Sequence, residues 1–199
     1  MSYPPRPTKT EDIEKILEVM RGVVPARGAI YVSAPITSGR RLTDWYVRSN
    51  GSLPHRSHPD YSAQHIREVI EPNRAHAAAI VRDVRERFPN RIIIDPTAVA
   101  DLDGWTQDDY RFFWGEVIRR FTTSVVFVDD WQFSSGCAYE FLIATEAGIE
   151  TLDEKSEPLS FQDGKALLRE ATRDIEPAAD AAAFLKALLE DLEPAVMAS

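Results

Sequence analysis

Ser124-Val125-Val126-Phe127-Val128-Asp129-Asp130-Trp131-Gln132-Phe133-Ser134-Ser135-Gly136-Cys137-Ala138-Tyr139-Glu140 is the stretch that decides how this chain folds. It opens on an apolar, β-branched run, the mark of a buried strand. The run stops at Asp129-Asp130, and a small-residue turn follows at Ser134-Ser135-Gly136. Ala138, Phe141, Leu142 and Thr145 then recur at helical spacing, with Gly148 as the stop. In open parallel sheets, ligands bind at the carboxyl ends of strands beside helix N-termini, whose N–H groups favour anions. Glu140 falls about one turn into that helix, where the dipole is expected to keep it ionised. A carboxylate held ionised at such a junction is a candidate nucleophile.

Working outward, the rest of the chain alternates in the same way. Thr8-Lys9-Thr10-Glu11 fits a capping box, and Ile13, Ile16, Leu17 and Met20 make one apolar face of a helix ending near Gly22. Ala29-Ile30-Tyr31-Val32-Ser33 reads as the first central strand, running into Ala34-Pro35-Ile36-Thr37-Ser38-Gly39-Arg40-Arg41. Residues 42–62 show no clean period and read as a long loop or lid. From Ala63 to Phe88 the pattern is helical, interrupted at Pro72, which starts a second helix. Arg91-Ile92-Ile93-Ile94-Asp95-Pro96 is a strand stopped by its proline. Trp105 and Tyr110 form a hydrophobic staple around Thr106 as N-cap with Asp109 at N3, and Tyr110, Trp114, Val117 and Phe121 line the helix that follows. Residues 149–152 predict a further strand, and 160–173 and 178–192 two terminal helices.

Strands alternating with helices predict an α/β fold. It is a doubly wound parallel sheet of the flavodoxin-like or Rossmann-like kind, flanked by helices and with helices at the C-terminus. The chain reads as a single domain over 1–199, with a helical extension at 160–192. The turn after the first strand and the turn at 129–136 then open on one edge. That brings Ser38, Gly39 and Arg40 towards Ser134 and Gly136 in a common pocket.

Composition narrows the function classes. A net charge of −9 over 199 residues argues against non-specific binding to nucleic acid or to anionic membranes. The single cysteine, Cys137, rules out an intrachain disulfide and a multi-cysteine metal site, and its place behind a small-residue turn suits packing. His55, His58 and His65 follow no ligand motif, so no metal is expected. No apolar run reaches membrane-spanning length, and the start of the chain lacks a signal-peptide core, so a cytoplasmic location is the expectation.

Trp131-x-x-Ser134-x-Gly136-x-x-x-Glu140, preceded by its Val-Val-Phe-Val strand, resembles the signature of the nucleoside 2-deoxyribosyltransferase-like superfamily. Tyr31-Val32-Ser33-Ala34-Pro35-Ile36-Thr37-Ser38-Gly39 resembles its first strand and loop, and Asn73, Ala77, Ala78 and Ile94-Asp95-Pro96 its second helix and strand. The resemblance covers residues 28–152, which it marks as the core of the domain, and the superfamily includes deoxyribosyltransferases, 2′-deoxynucleoside 5′-phosphate N-hydrolases and nucleotide N-glycosidases. The resemblance implies cleavage or transfer at an N-glycosidic bond of a nucleoside or nucleoside 5′-monophosphate, with no cofactor. It implies Glu140 as the nucleophile and puts the partner carboxylate, an aspartate in many members, on Glu116. It makes Ser134 and Gly136 phosphate contacts. The first-loop serine and arginine of that family fall on Pro35 and Thr37, so Ser38, Arg40 or Arg41 would have to stand in. The substrate-contacting set is then Tyr31, Ser33, Pro35, Ser38, Gly39, Arg40, Asp95, Trp131, Ser134 and Gly136. Because members complete their pockets from a neighbouring subunit, a homodimer or larger homo-oligomer is also implied.

The chemistry suits those groups. An oxocarbenium-like transition state is stabilised or captured by a carboxylate at the anomeric carbon, and the leaving base needs a proton. Tyr31, Trp131 and Phe133 can supply aromatic walls for a base. Plainer roles stand beside these. Glu116 can pair with Arg120 four residues on, Asp109 can be a cap, Asp129 and Asp130 can end a strand, Trp131 and Phe133 can be partly core, and Arg40 and Arg41 can be a solvated face. Two other functions compete: a nucleotide-binding or sensing module without turnover, and a hydrolase of nucleotide sugars or dinucleotides.

Overall fold

The computed structural model describes residues 6–49, 59–99, 102–179 and 190. Four strands, β1 (Ala29–Ser33), β2 (Ile92–Ile94), β3 (Thr122–Phe127) and β4 (Glu150–Asp153), form one sheet in the order β2-β1-β3-β4. Every pairing is parallel. The chain moves outward from β1 to β2, returns past β1 to β3, and continues to β4. This is the doubly wound, flavodoxin-like arrangement, and its switch point lies between β1 and β3.

Strand parity divides the core. Ala29, Tyr31, Val125 and Phe127 face one way and join a cluster with α1 (Thr10–Val23), α5 (Gln107–Phe121), α6 (Ser135–Glu146) and α7 (Phe161–Ala179). Ile30, Val32, Val126 and Val128 face the other way, onto Ile80, Val81 and Val84 of α4 (Glu71–Arg87). Period-two alternation on strands covered on both faces produces this division. Leu42 and Trp45 of α2 (Arg40–Arg48), Tyr61 of α3 (Pro59–His65) and Val69 form a small separate cluster.

Several local expectations needed correction. The stretch read as a loop from residue 42 begins inside α2 and ends inside α3; residues 50–58, with His55 and His58, lie outside the described residues. Pro72 does not break the helix. A π-turn at Ile66–Ile70 joins α3 to α4, and the Glu71 N–H donates back to Ile66 O. An interior proline lacks an N–H and crowds the carbonyl four residues back, and the wider turn relieves both. The helix expected at 160–173 extends to Ala179, whereas most of 178–192 lies outside the described residues.

The Thr106–Asp109 capping box and the Trp105–Tyr110 staple, with ring centroids 5.2 Å apart, are as expected. The Thr8 box is not. Thr8 and Lys9 instead donate their backbone N–H groups to Asp109 Oδ1 at 2.6 and 2.8 Å, so one buried carboxylate caps α5 and receives the start of α1. Burial alone would raise its pKa, but the hydrogen bonds from Thr106, Lys9 and Thr8 outweigh burial and hold it well below the usual range. No described helix is long and apolar enough to cross a membrane.

Candidate active site

The carboxyl ends of β1 and β3 open into a cavity of about 670 Å³. Its lining comes from the loop after β1, from α3, from the loop after β2, from one face of α5 and from the first turns of α6. Because α3 continues into α4 on one face of the sheet and α5 starts on the other, the walls approach from both sides of β1.

Glu140 lies in this cavity, and strand parity supplies its partners. Tyr31 and Ser33 are two residues apart on β1 and point to the α6 face. The Tyr31 hydroxyl donates to Glu140 Oε1 and the Ser33 hydroxyl to Oε2, each at 2.6 Å. Both carboxylate oxygens are thus held from the strand beneath. The electrostatics differ from the expectation. Glu140 is the sixth residue of α6, past the first turn where the dipole acts. Burial raises its pKa, the Ser33 and Tyr31 hydrogen bonds oppose burial only in part, and the result is about 7. The carboxyl is poised between its two states at neutral pH rather than fixed as an anion. Burial and the neighbouring Glu140 push the Tyr31 phenol well above its usual range and the Cys137 thiol to about 12.

Of the other sequence-predicted residues, Ser38, Ser134 and Gly136 also line the cavity. Ser33 is fully buried and acts from behind Glu140. Pro35 and Gly39 shape the loop instead of lining it. Gly39 has φ +87° at the start of α2, and a Cβ there would sit 2.9 Å from Pro35 Cβ. The loop is pinned by Asn73 of α4, whose Nδ2 donates to Ile36 O at 3.0 Å and Ser38 O at 2.9 Å. Asp95 caps the turn after β2, accepting from Thr97 N–H at 3.0 Å and Thr97 Oγ1 at 2.6 Å, while its neighbours Pro96 and Thr97 reach the cavity.

Four of the candidate residues do not line the cavity, and for Glu116, Trp131 and Phe133 the plainer reading holds. Glu116 faces away from the cavity and pairs with Arg119 at 3.1 Å and Arg120 at 2.7 Å; Arg120 also reaches Glu14. It lies on the side of α5 opposite the lining residues Tyr110, Arg111 and Trp114. Arg40 is held outside the pocket by Asp130 at 3.3 Å and Asp174 at 3.0 Å, with its guanidinium 4.3 Å from the Phe133 ring centre. Trp131 and Phe133 are core residues, 3% and 1% exposed, and Trp131 packs on Phe127 and Phe141.

Other residues line the cavity in their place. Tyr110, Arg111 and Trp114 come from α5, and Tyr61, Ser62 and His65 from α3. Arg111 Nη2 donates to Ser135 Oγ at 2.8 Å, which places a guanidinium at the start of α6. Trp114 meets Tyr31 edge-on at 5.9 Å. The α5 set was open to detection, because Tyr110 and Trp114 were already assigned to one face and Arg111 shares it. Among the described residues, no group of three or more His, Cys, Asp or Glu side chains is arranged to hold a metal ion. No family model, no curated protein and no solved structure matches this chain.

Proposed function

We propose that the protein cleaves, or transfers, the N-glycosidic bond of a nucleoside or nucleoside 5′-monophosphate through Glu140. The observation that carries this reading is the Glu140 carboxylate, held at both oxygens by Tyr31 and Ser33 inside a cavity at the strand ends. A carboxylate so fixed has lost the rotational freedom a nucleophile would otherwise have to give up in the transition state. A pKa near 7 leaves a large ionised fraction at neutral pH.

Two further features support a phosphorylated substrate. Arg111 brings a permanent positive charge to the cavity beside the first residues of α6. Gly136 is the second: its φ is not in the left-handed region, and an added Cβ would meet nothing nearer than Ser134 Oγ at 3.8 Å. The protein's own packing therefore does not require glycine there, although glycine costs a helix up to about 1 kcal/mol relative to alanine. A bare backbone at that place suits close approach by a ligand.

The test is a panel of ribo- and deoxyribonucleosides and their 5′-monophosphates, incubated with the wild type and with Glu140→Ala and read by chromatography. The wild type is expected to release free base from at least one member, and the variant at least about 1,000-fold more slowly. No release from any member removes the proposal. One observation favours the second reading, a nucleotide-binding module without turnover: Glu116 is absent from the cavity, and Glu140 is the only Asp or Glu among the described lining residues. Tight nucleotide binding that survives Glu140→Gln, with no base released, selects that reading.

A further inference from the structure

We propose that the Glu140 cavity takes nucleotides whose base is joined to the sugar through a positively charged ring nitrogen, as in a pyridinium or an N7-alkylated purine nucleotide. This rests on the glycosidic reading and names its substrate class. Glu140 is the only Asp or Glu among the described lining residues, and Glu116 is turned away to Arg119 and Arg120. The described lining thus offers an anion to C1′ but no second carboxyl to protonate a departing base. A neutral base leaves with negative charge unless a proton arrives. A cationic base leaves neutral and needs none. Tyr31 already gives its hydroxyl to Glu140, and burial pushes the Cys137 thiol up to about 12. The His65 ring holds Thr37 O through Nε2 at 2.8 Å and stacks on Trp45.

The walls suit a cation. Tyr31, Tyr61, Tyr110, Tyr139 and Trp114 reach the cavity from β1, α3, α5 and α6. The negative faces of such rings attract positive charge. Trp114 is half-buried and meets Tyr31 edge-on, and the Tyr31 hydroxyl lies 2.6 Å from Glu140 Oε1. Aromatic surface and carboxylate therefore stand together at one end of the cavity. The opposite charge is close by. Arg111 holds Ser135 Oγ at 2.8 Å, and Ser135 opens α6 five residues before Glu140, ~7.5 Å of helix rise. A nucleotide of the proposed class carries both matching charges, a phosphate for the Arg111 end and a cationic ring for the Glu140 end.

Such a substrate also sets the charge of the nucleophile. A pKa of about 7 leaves the free Glu140 carboxyl close to half protonated at neutral pH. An opposite charge within a few ångströms favours the ionised form. A cationic ring entering the cavity therefore drives the proton off Glu140, and a neutral ring does not. The step balances. As the C1′–N bond breaks, its electron pair goes to the ring nitrogen and cancels the positive charge, while a Glu140 oxygen bonds to C1′. Water then attacks C1′, the bond to Glu140 breaks with its electrons returning to the carboxylate, and the water's proton passes to solvent.

The experiment uses the full-length wild type and Glu140→Gln, both checked for folding by circular dichroism. Guanosine 5′-monophosphate is compared with its N7-methyl derivative, which differs by one methyl and one positive charge, and nicotinamide mononucleotide is the pyridinium arm. The wild-type kcat/KM on a cationic nucleotide is expected to exceed that on guanosine 5′-monophosphate by about 10²- to 10⁴-fold, the share that a general acid would have supplied. Activity on one cationic nucleotide and not the other supports the assignment and identifies the ring. A second readout needs no turnover. Calorimetry at pH 7 in two buffers of different ionisation enthalpy should show N-methylnicotinamide, which has no glycosidic bond, displacing about half a proton from the wild type and none from Glu140→Gln. Uncharged nicotinamide should bind the wild type about 10-fold more weakly. Equal or faster release from the neutral nucleotide, or equal affinity for the two amides with no proton displaced, overturns the assignment and leaves the Glu140 reading in place wherever base is released. A wild type that releases no base from any nucleotide, charged or neutral, overturns both.

Discussion

At the scale of single residues, the site turns on a carboxyl that the fold would rather keep neutral. The Glu140 pKa is raised in the native state to about 7, against an ordinary glutamate value near ~4.3. A raised native value means the folded state binds the proton more tightly than the unfolded one. The favourable contribution is therefore complete below about 4.3 and is lost as pH rises towards 7. Above that it stays lost, at a cost on the order of 3–4 kcal/mol. Glu140→Gln, which cannot ionise, should match the wild type in thermal stability near pH 4. It should exceed the wild type by several degrees above pH 7, as melting across that range would show. A constant difference at all pH values would mean that the carboxyl is not held in the surroundings described above. The position of Glu140 was legible in the sequence because a strand–turn–helix junction fixes it locally. Its charge state was not, because burial and the two hydroxyls come from β1, more than a hundred residues away.

Among the elements, α3 and the π-turn show why part of the site escaped a sequence reading. Tyr61 and His65 are four residues apart and fall on one helical face, but Tyr61 lies in the stretch that reads as loop and His65 in the helical stretch that begins at Ala63, so the shared face is split between two readings. The strands, α5 and α6 were legible because each has an apolar repeat and a stop or cap nearby. Pro72 was visible as a disturbance, yet local rules could not say whether a break, a kink or a π-turn would answer it. The π-turn changes the rotation of α3 about the helix axis, and with it the direction of Tyr61 and His65. Pro72→Ala removes the reason for the wide turn and restores a backbone donor. It should hold or raise stability, by up to about 3 kcal/mol. It should also lower kcat/KM on whichever substrate the wild type accepts, since the two cavity side chains would swing away. Denaturant unfolding with steady-state rates checks both halves. A variant that loses stability and keeps full activity would contradict this account of the turn.

For the whole molecule, the C-terminal helix is a working part of the core rather than an extension of it. Leu168, Ala171 and Ile175 of α7 are fully buried with residues of α5, α6 and β3. Phe161 lies parallel to Phe141 of α6, 6.2 Å between centroids. Asp174 of the same helix meets Arg40, which also meets Asp130, so α7 joins the loops that follow β1 and β3. These ion pairs are 40–44% exposed and are each worth little on their own. The docking depends instead on close approach at Gly164, where an added Cβ would sit 2.1 Å from Phe141 Cζ. Two effects oppose each other in Gly164→Ala. Helix propensity favours alanine by up to about 1 kcal/mol, whereas forcing a methyl into a packed core costs about 1–3 kcal/mol. Overlap with an aromatic ring that is itself fully buried cannot be relieved by a small side-chain shift, so overpacking should win. The expected result is a net loss of about 1–2 kcal/mol, read as a lower midpoint in denaturant. If α7 were only loosely applied to the sheet, the sign would reverse and the alanine variant would be the more stable of the two.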